Sequence, residues 1–104
     1  MGRGKRISIE ERRLKYAAGV SLAGKAKQIF TPIQLAVLGT LEQKAQDGVF
    51  RGGLALAAGP VAVSKATALA AIRLGVELGL IDYEPGQGPK PAIVRLLWIN
   101  QAQA

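Results

Sequence analysis

Apolar positions along the chain recur at helical spacing in its first three quarters and change to extended runs near residue 80. Ser8 followed by Glu11 has the spacing of a capping box, and residues 10–16 are free of Gly and Pro. That stretch predicts a short helix which Gly19 ends. Thr31-Pro32 places a capping hydroxyl before a proline at a first helical position, and Ile33, Val37, Leu41 and Ala45 follow at helical spacing. A second helix is expected there, stopped by Asp47-Gly48. Residues 49–51 suit a short extended segment, and residues 54–58 are apolar and helix-compatible up to a break at Gly59-Pro60. Ser64 has the character of an N-cap for a helix over 65–78, with Leu69, Ile72 and Val76 on its apolar face and Gly79 at its end. Residues 80–83 and 92–99 predict two strands, the second carrying a partly buried Trp98. The Gly- and Pro-rich segment 84–91 joins them as a loop, in which Gly86 and Gly88 are turn residues.

Composition sets the kind of core these elements share. The chain has 104 residues, of which 49% are hydrophobic, enough for one small domain. Its five aromatic residues are Tyr16, Phe30, Phe50, Tyr83 and Trp98, so Ala, Leu, Val and Ile must supply most of the burial. An aromatic base-stacking platform is not expected from so few rings.

Charge divides the chain more sharply than hydropathy does. The net charge is +7, and residues 1–27 hold eight Lys/Arg against two acids. The remaining residues carry six bases and five acids, so a nearly neutral body bears a basic arm suited to a polyanion. The expected organisation is a basic arm over 1–27, partly helical or flexible, a folded body over 28–100 and a polar tail over 101–104. A solubilising tail is the plainer reading of the arm, and its Arg12-Arg13-Lys15 cluster has a further alternative in a helix packed on the body or on a second protomer.

Several chemistries are excluded or weakened. The chain has no His and no Cys, which removes an imidazole base, a thiolate nucleophile and the usual zinc ligands. No catalysis, metal or cofactor is therefore expected. The N-terminal stretch is charged and has no following apolar run, so it does not have the form of a signal peptide. The longest apolar run, residues 54–63, is about half what a bilayer crossing needs. A cytoplasmic protein is expected, nucleoid-associated if the host is prokaryotic. Gly19 to Ala26 comes within one residue of a phosphate-binding loop, but Ala26 stands where the magnesium-binding hydroxyl belongs, and the preceding residues are helix-like and charged. Chance Gly/Lys content in a linker accounts for it.

The order helix, extended segment, helix, turn, helix, strand, Gly/Pro loop, strand over residues 31–99 resembles the winged helix-turn-helix superfamily. The stretch Ser64-Lys-Ala-Thr-Ala-Leu-Ala-Ala-Ile-Arg-Leu-Gly-Val-Glu-Leu-Gly-Leu-Ile81 carries the likeness, being similar to a second helix-turn-helix helix that runs into the first wing strand. The resemblance implies an α+β fold, mainly helical, with a small antiparallel β wing, and a small transcriptional regulator of phage or plasmid type. It implies double-stranded DNA as partner, with one helix in the major groove and the wing and arm on phosphates. By position, Ser64, Lys65, Ala66, Thr67, Ala70 and Arg73 are the expected groove contacts and Lys90 the wing cation. Arg3, Lys5 and Arg6 suit an arm on the backbone or in a minor groove, with Arg12 and Arg13 as further DNA contacts. The expected activity is operator binding as a repressor, by a homodimer. The helix offers no Asn or Gln and few bidentate base readers, which favours modest sequence readout. The alternative is a winged-helix adaptor that contacts protein, its basic arm holding nucleic acid or an acidic partner nonspecifically. Arg95 faces either solvent or DNA, since Leu96-Leu97 breaks the strand alternation.

Overall fold

The computed structural model describes residues 8–22 and 24–99. In order, these form α1 (Ile9–Gly19), α2 (Lys25–Ile29), α3 (Pro32–Lys44), β1 (Val49–Gly52), α4 (Leu54–Ala58), a 3-10 turn (Gly59–Val61), α5 (Lys65–Glu77), β2 (Ile81–Glu84) and β3 (Ala92–Leu96). The fold is α+β, helices around a small antiparallel sheet.

Two helices start as their sequences predict. Ser8 Oγ accepts the Glu11 N–H while Glu11 Oε1 accepts the Ser8 N–H, both at 3.1 Å, and Gly19 is the last residue of α1. Thr31 and Gln34 exchange the same pair of bonds at 3.1 and 2.9 Å ahead of Pro32. Each pair satisfies N–H groups that a helix start leaves without intrahelical partners.

α3 is the central helix of the core. Ala36, Val37, Leu38, Gly39, Thr40 and Leu41 are all buried, so it is enclosed on every side over nearly two turns. Thr40 donates its hydroxyl to the Ala36 carbonyl at 3.0 Å, which satisfies a buried polar atom. Of the apolar positions expected on this helix, Val37 and Leu41 are buried, Ile33 is exposed and Ala45 caps the C-terminus. Asp47 and Gly48 both take positive φ, 56° and 77°, and turn the chain between paired Gln46 and Val49.

α1 crosses α3 at Gly39. A Cβ at that position would collide with the Tyr16 carbonyl, so only glycine lets the two backbones approach. This crossing moves the expected domain boundary. Ala17, Val20 and Leu22 belong to the same buried core as Phe30, so residues 8–22 pack as part of the body rather than as a separate arm ending at 27. The cause is the apolar content of residues 14–22, which the charges around it masked.

The sheet has the order β1-β3-β2, antiparallel throughout. Phe50, Val94 and Tyr83 lie in one register row, and Leu96 opposes Ile81. Phe50, Ile81, Ala92, Val94 and Leu96 are buried on the inner face. β3 stops at Leu96, short of the expected end at 99, and residues 97–99 turn helical. Trp98 is buried as expected, but at this turn and not in the strand. Its Nε1 donates to Ser21 Oγ and Glu42 Oε1, both at 3.2 Å. Glu42 Oε1 also accepts the Ser21 N–H at 2.9 Å, which ties the end of the described chain to α3 and the α1–α2 connection.

Candidate nucleic-acid interface

α4, with its 3-10 continuation, and α5 meet at 108° with residues 62–64 between them. That angle and connection length are those of a helix-turn-helix. Ala62 makes the turn in the left-handed region, at φ 55° and ψ 48°, and its N–H donates to the Gly59 carbonyl at 3.0 Å. The Val63 N–H donates to the Ala58 carbonyl at 3.2 Å.

Ser64 caps α5 by accepting the Thr67 N–H at 3.0 Å, and the Ser64 and Thr67 hydroxyls bond each other at 3.0 Å. Both hydroxyls expected to meet DNA are thus paired within the cap, and Thr67 is half-buried. Ala68, Ala71, Ile72 and Gly75 form the buried face of α5. This corrects the expected apolar face: Ile72 is buried, Leu69 is half-buried and Val76 is 43% exposed. A Cβ on Gly75 would meet the Ile81 side chain, so small residues bring the helix against β2 and turn the larger Val76 outward. Leu74 is half-buried against the core.

The exposed face of α5 then carries Lys65, Ala66, Ala70, Arg73, Val76 and Glu77. Ala66, Ala70, Arg73 and Glu77 follow at spacings of four, three and four, so they share one side. Among the described residues the ion pairs are those of Arg95 alone, and the Lys65, Arg73 and Lys90 side chains enter none. Lys90 lies in the β2–β3 loop, where it bridges to Gln87, and is exposed. Arg3, Lys5 and Arg6 lie outside the described residues.

Arg12 and Arg13, expected as DNA contacts, hydrogen-bond to the body of the protein. Arg13 donates from Nε to the Val61 carbonyl and from Nη2 to the Ala62 carbonyl, each at 2.8 Å, and Arg12 Nη1 donates to the Pro60 carbonyl at 3.4 Å. The packed-helix alternative for this cluster is the arrangement observed, since α1 lies on the body. The carbonyls they hold are backbone atoms, which leave no mark in a sequence.

Arg95 settles on the outer face of the sheet. Its Nη1 donates to Glu84 Oε2 at 2.6 Å and stands 4.0 Å from Asp82 Oδ2. The bond to Glu84, then its charge, raises the guanidinium above its ordinary pKa, with Asp82 adding to the effect. Arg51 on neighbouring β1 is also exposed and was not among the expected site residues. The near phosphate-loop sequence follows a helix, α1, where such a loop needs a strand.

Among the described residues no group of His, Cys, Asp and Glu could hold a metal ion, and no single helix is long and apolar enough to cross a membrane. A scan against protein-family models, a search of curated proteins and a search of solved structures each returned no match.

Proposed function

We propose that this chain is a winged helix-turn-helix protein that binds double-stranded DNA as a transcriptional regulator, with α5 in the major groove and the β2–β3 loop on the backbone. The observation that carries the reading is the pair of helices at 108° whose second member leads directly into an antiparallel hairpin. The sheet order β1-β3-β2 supports it, because β1, a strand between α3 and the α4–α5 pair, completes the wing. Unpaired, exposed Lys65 and Arg73 supply cations along α5, and Lys90 supplies one to the loop. The net charge of +7 gives a long-range attraction to phosphate. Repression by occupying an operator is the form of regulation we assign.

A second reading, an adaptor that contacts protein through α5, draws on Ala66, Ala70 and the exposed Val76 of the same face. Small and apolar side chains suit a protein surface as well as a groove wall.

A gel-shift titration over a salt series separates the two. The probes are the chain's own upstream region, an unrelated duplex of equal length and random RNA. The first reading expects a preference for the upstream duplex that survives competitor DNA and is lost in Lys65→Ala and Arg73→Ala. Equal, salt-sensitive binding to all three probes, unchanged in those variants, would reject it in favour of the adaptor.

A further inference from the structure

Arg12 and Arg13 send three hydrogen bonds from α1 to three consecutive carbonyls, those of Pro60, Val61 and Ala62, some 48 residues further on. These carbonyls belong to the end of the 3-10 segment after α4 and to the first residue of the connection to α5, where helix geometry leaves acceptors without intrahelical partners. A guanidinium presents its N–H groups in a fixed fork, so one side chain can hold two neighbouring carbonyls at once. Arg13 does so at 2.8 Å on both arms. One of the two acceptors belongs to Ala62, whose left-handed backbone is uncommon for a residue with a Cβ. Ala62 stands two residues before the Ser64 cap, so its dihedral angles set the direction in which α5 leaves the turn.

We propose that Arg13, assisted by Arg12, is a positioning residue for α5: the fork holds the carbonyls of 60–62, and with them Ala62 in its left-handed conformation, and thereby fixes the angle at which α5 is presented. The inference rests on the reading that α5 contacts duplex DNA. It separates the basic residues into two groups, the exposed cations that meet the ligand and a pair turned inward that aims the helix.

The test compares Arg13→Lys and Arg13→Ala with the unaltered chain, well below the melting temperature of each. A lysine keeps the charge and can serve a phosphate as a point charge, but it cannot bridge two carbonyls. Binding is titrated over a salt series on a duplex selected from a randomised library and on an unrelated duplex. Both variants should lose about tenfold in preference for the selected duplex, the scale of one charge-assisted hydrogen bond. The slope of log affinity against log salt should not change. Recovery of the preference by lysine, or a slope reduced by about one unit in the alanine variant, makes Arg13 a phosphate ligand and overturns the proposal. A preference preserved in both variants overturns it too, by limiting Arg13 to stability.

Hydrogen exchange of the Ala62 and Val63 amides gives a readout that needs no DNA. Both amides should exchange faster in the two variants while those of α3 keep their rates; unchanged exchange at 62 and 63 rejects the clamp. Selective acceleration in a chain that binds no duplex would uphold the clamp and overturn the DNA reading instead.

Discussion

Single residues in this protein act through how much space or how many partners they leave. Gly39 and Gly75 are both buried on helices, yet a side chain would meet different obstacles at each. At Gly39 a Cβ strikes the Tyr16 carbonyl, which is backbone, whereas at Gly75 it strikes the Ile81 side chain. Gly39→Ala should therefore destabilise the fold by about 2–3 kcal/mol and Gly75→Ala by less, because Ile81 has rotamers to move into. Denaturant titration followed by the fluorescence of Trp98, the sole tryptophan, measures both. Equal losses would show that the α1–α3 approach is not limiting. Glu42 is judged by the same method: its Oε1 accepts from the Ser21 N–H and the Trp98 indole. Glu42→Ala should cost about 1–3 kcal/mol and Glu42→Gln, which keeps a carbonyl oxygen, distinctly less. The exposed Arg95 pair is a contrasting case. Its pKa is raised in the fold, so whatever it contributes is fully present below the ordinary guanidinium range and is lost only as pH rises above that range. Arg95→Met should leave the pH dependence of the melting temperature unchanged between about pH 6 and 9.

At the scale of elements, the helix starts carry a measurable share of stability. Ser8, Thr31 and Ser64 each accept a backbone N–H at the start of a long helix. Replacing any one by Ala should cost about 1 kcal/mol, read as a lower denaturant midpoint with an unchanged slope. The three sites sit on separate helices, so the losses should add. Ser64→Ala has a further consequence, because it also frees the Thr67 hydroxyl. If that hydroxyl then reaches a base edge, the variant should bind a different duplex from a randomised library, whereas an unaltered selection would keep both hydroxyls out of recognition.

For the whole molecule, the structure decides where the chain can be cut. α1 begins with Ser8 as its cap, so removing residues 1–7 spares the cap, the α1–α3 crossing and the Arg12 and Arg13 bonds. Removing residues 1–13 takes away all of the clamp and half of α1. The shorter deletion should lower the salt slope by about 2–3 units, since it removes Arg3, Lys5 and Arg6, and leave the melting temperature in place. The longer one should lower the melting temperature as well, by at least 5 °C. An unchanged slope in the shorter form would mean that the N-terminal cations do not meet phosphate. We expect a homodimer on DNA, because one domain this small covers only one half-site. Sedimentation that gives only monomer, with and without a bound duplex, would exclude it.

Much of the chain was legible before folding because its signals are local. Capping at Ser8, Thr31 and Ser64, the Asp47-Gly48 turn, the two strands and the Gly/Pro loop each depend on residues a few positions apart. The exposed side of α5 was only partly legible. Alanine and glycine weigh little in an apolar pattern, so the spacing points Ile72 and Val76 inward together, whereas in the fold Ile72 is buried and Val76 exposed. Close packing of Ala68, Ala71 and Gly75 against β2 fixed the rotation of the helix, and that depends on residues brought together from elsewhere in the chain. Arg12 and Arg13 mark the same limit. The sequence by itself determined that they are cations on a helix, since charge and local propensity are properties of neighbouring residues. Tertiary structure decided that they turn inward to the carbonyls of 60–62, because a backbone acceptor about 48 residues away has no identity until the chain has closed upon it.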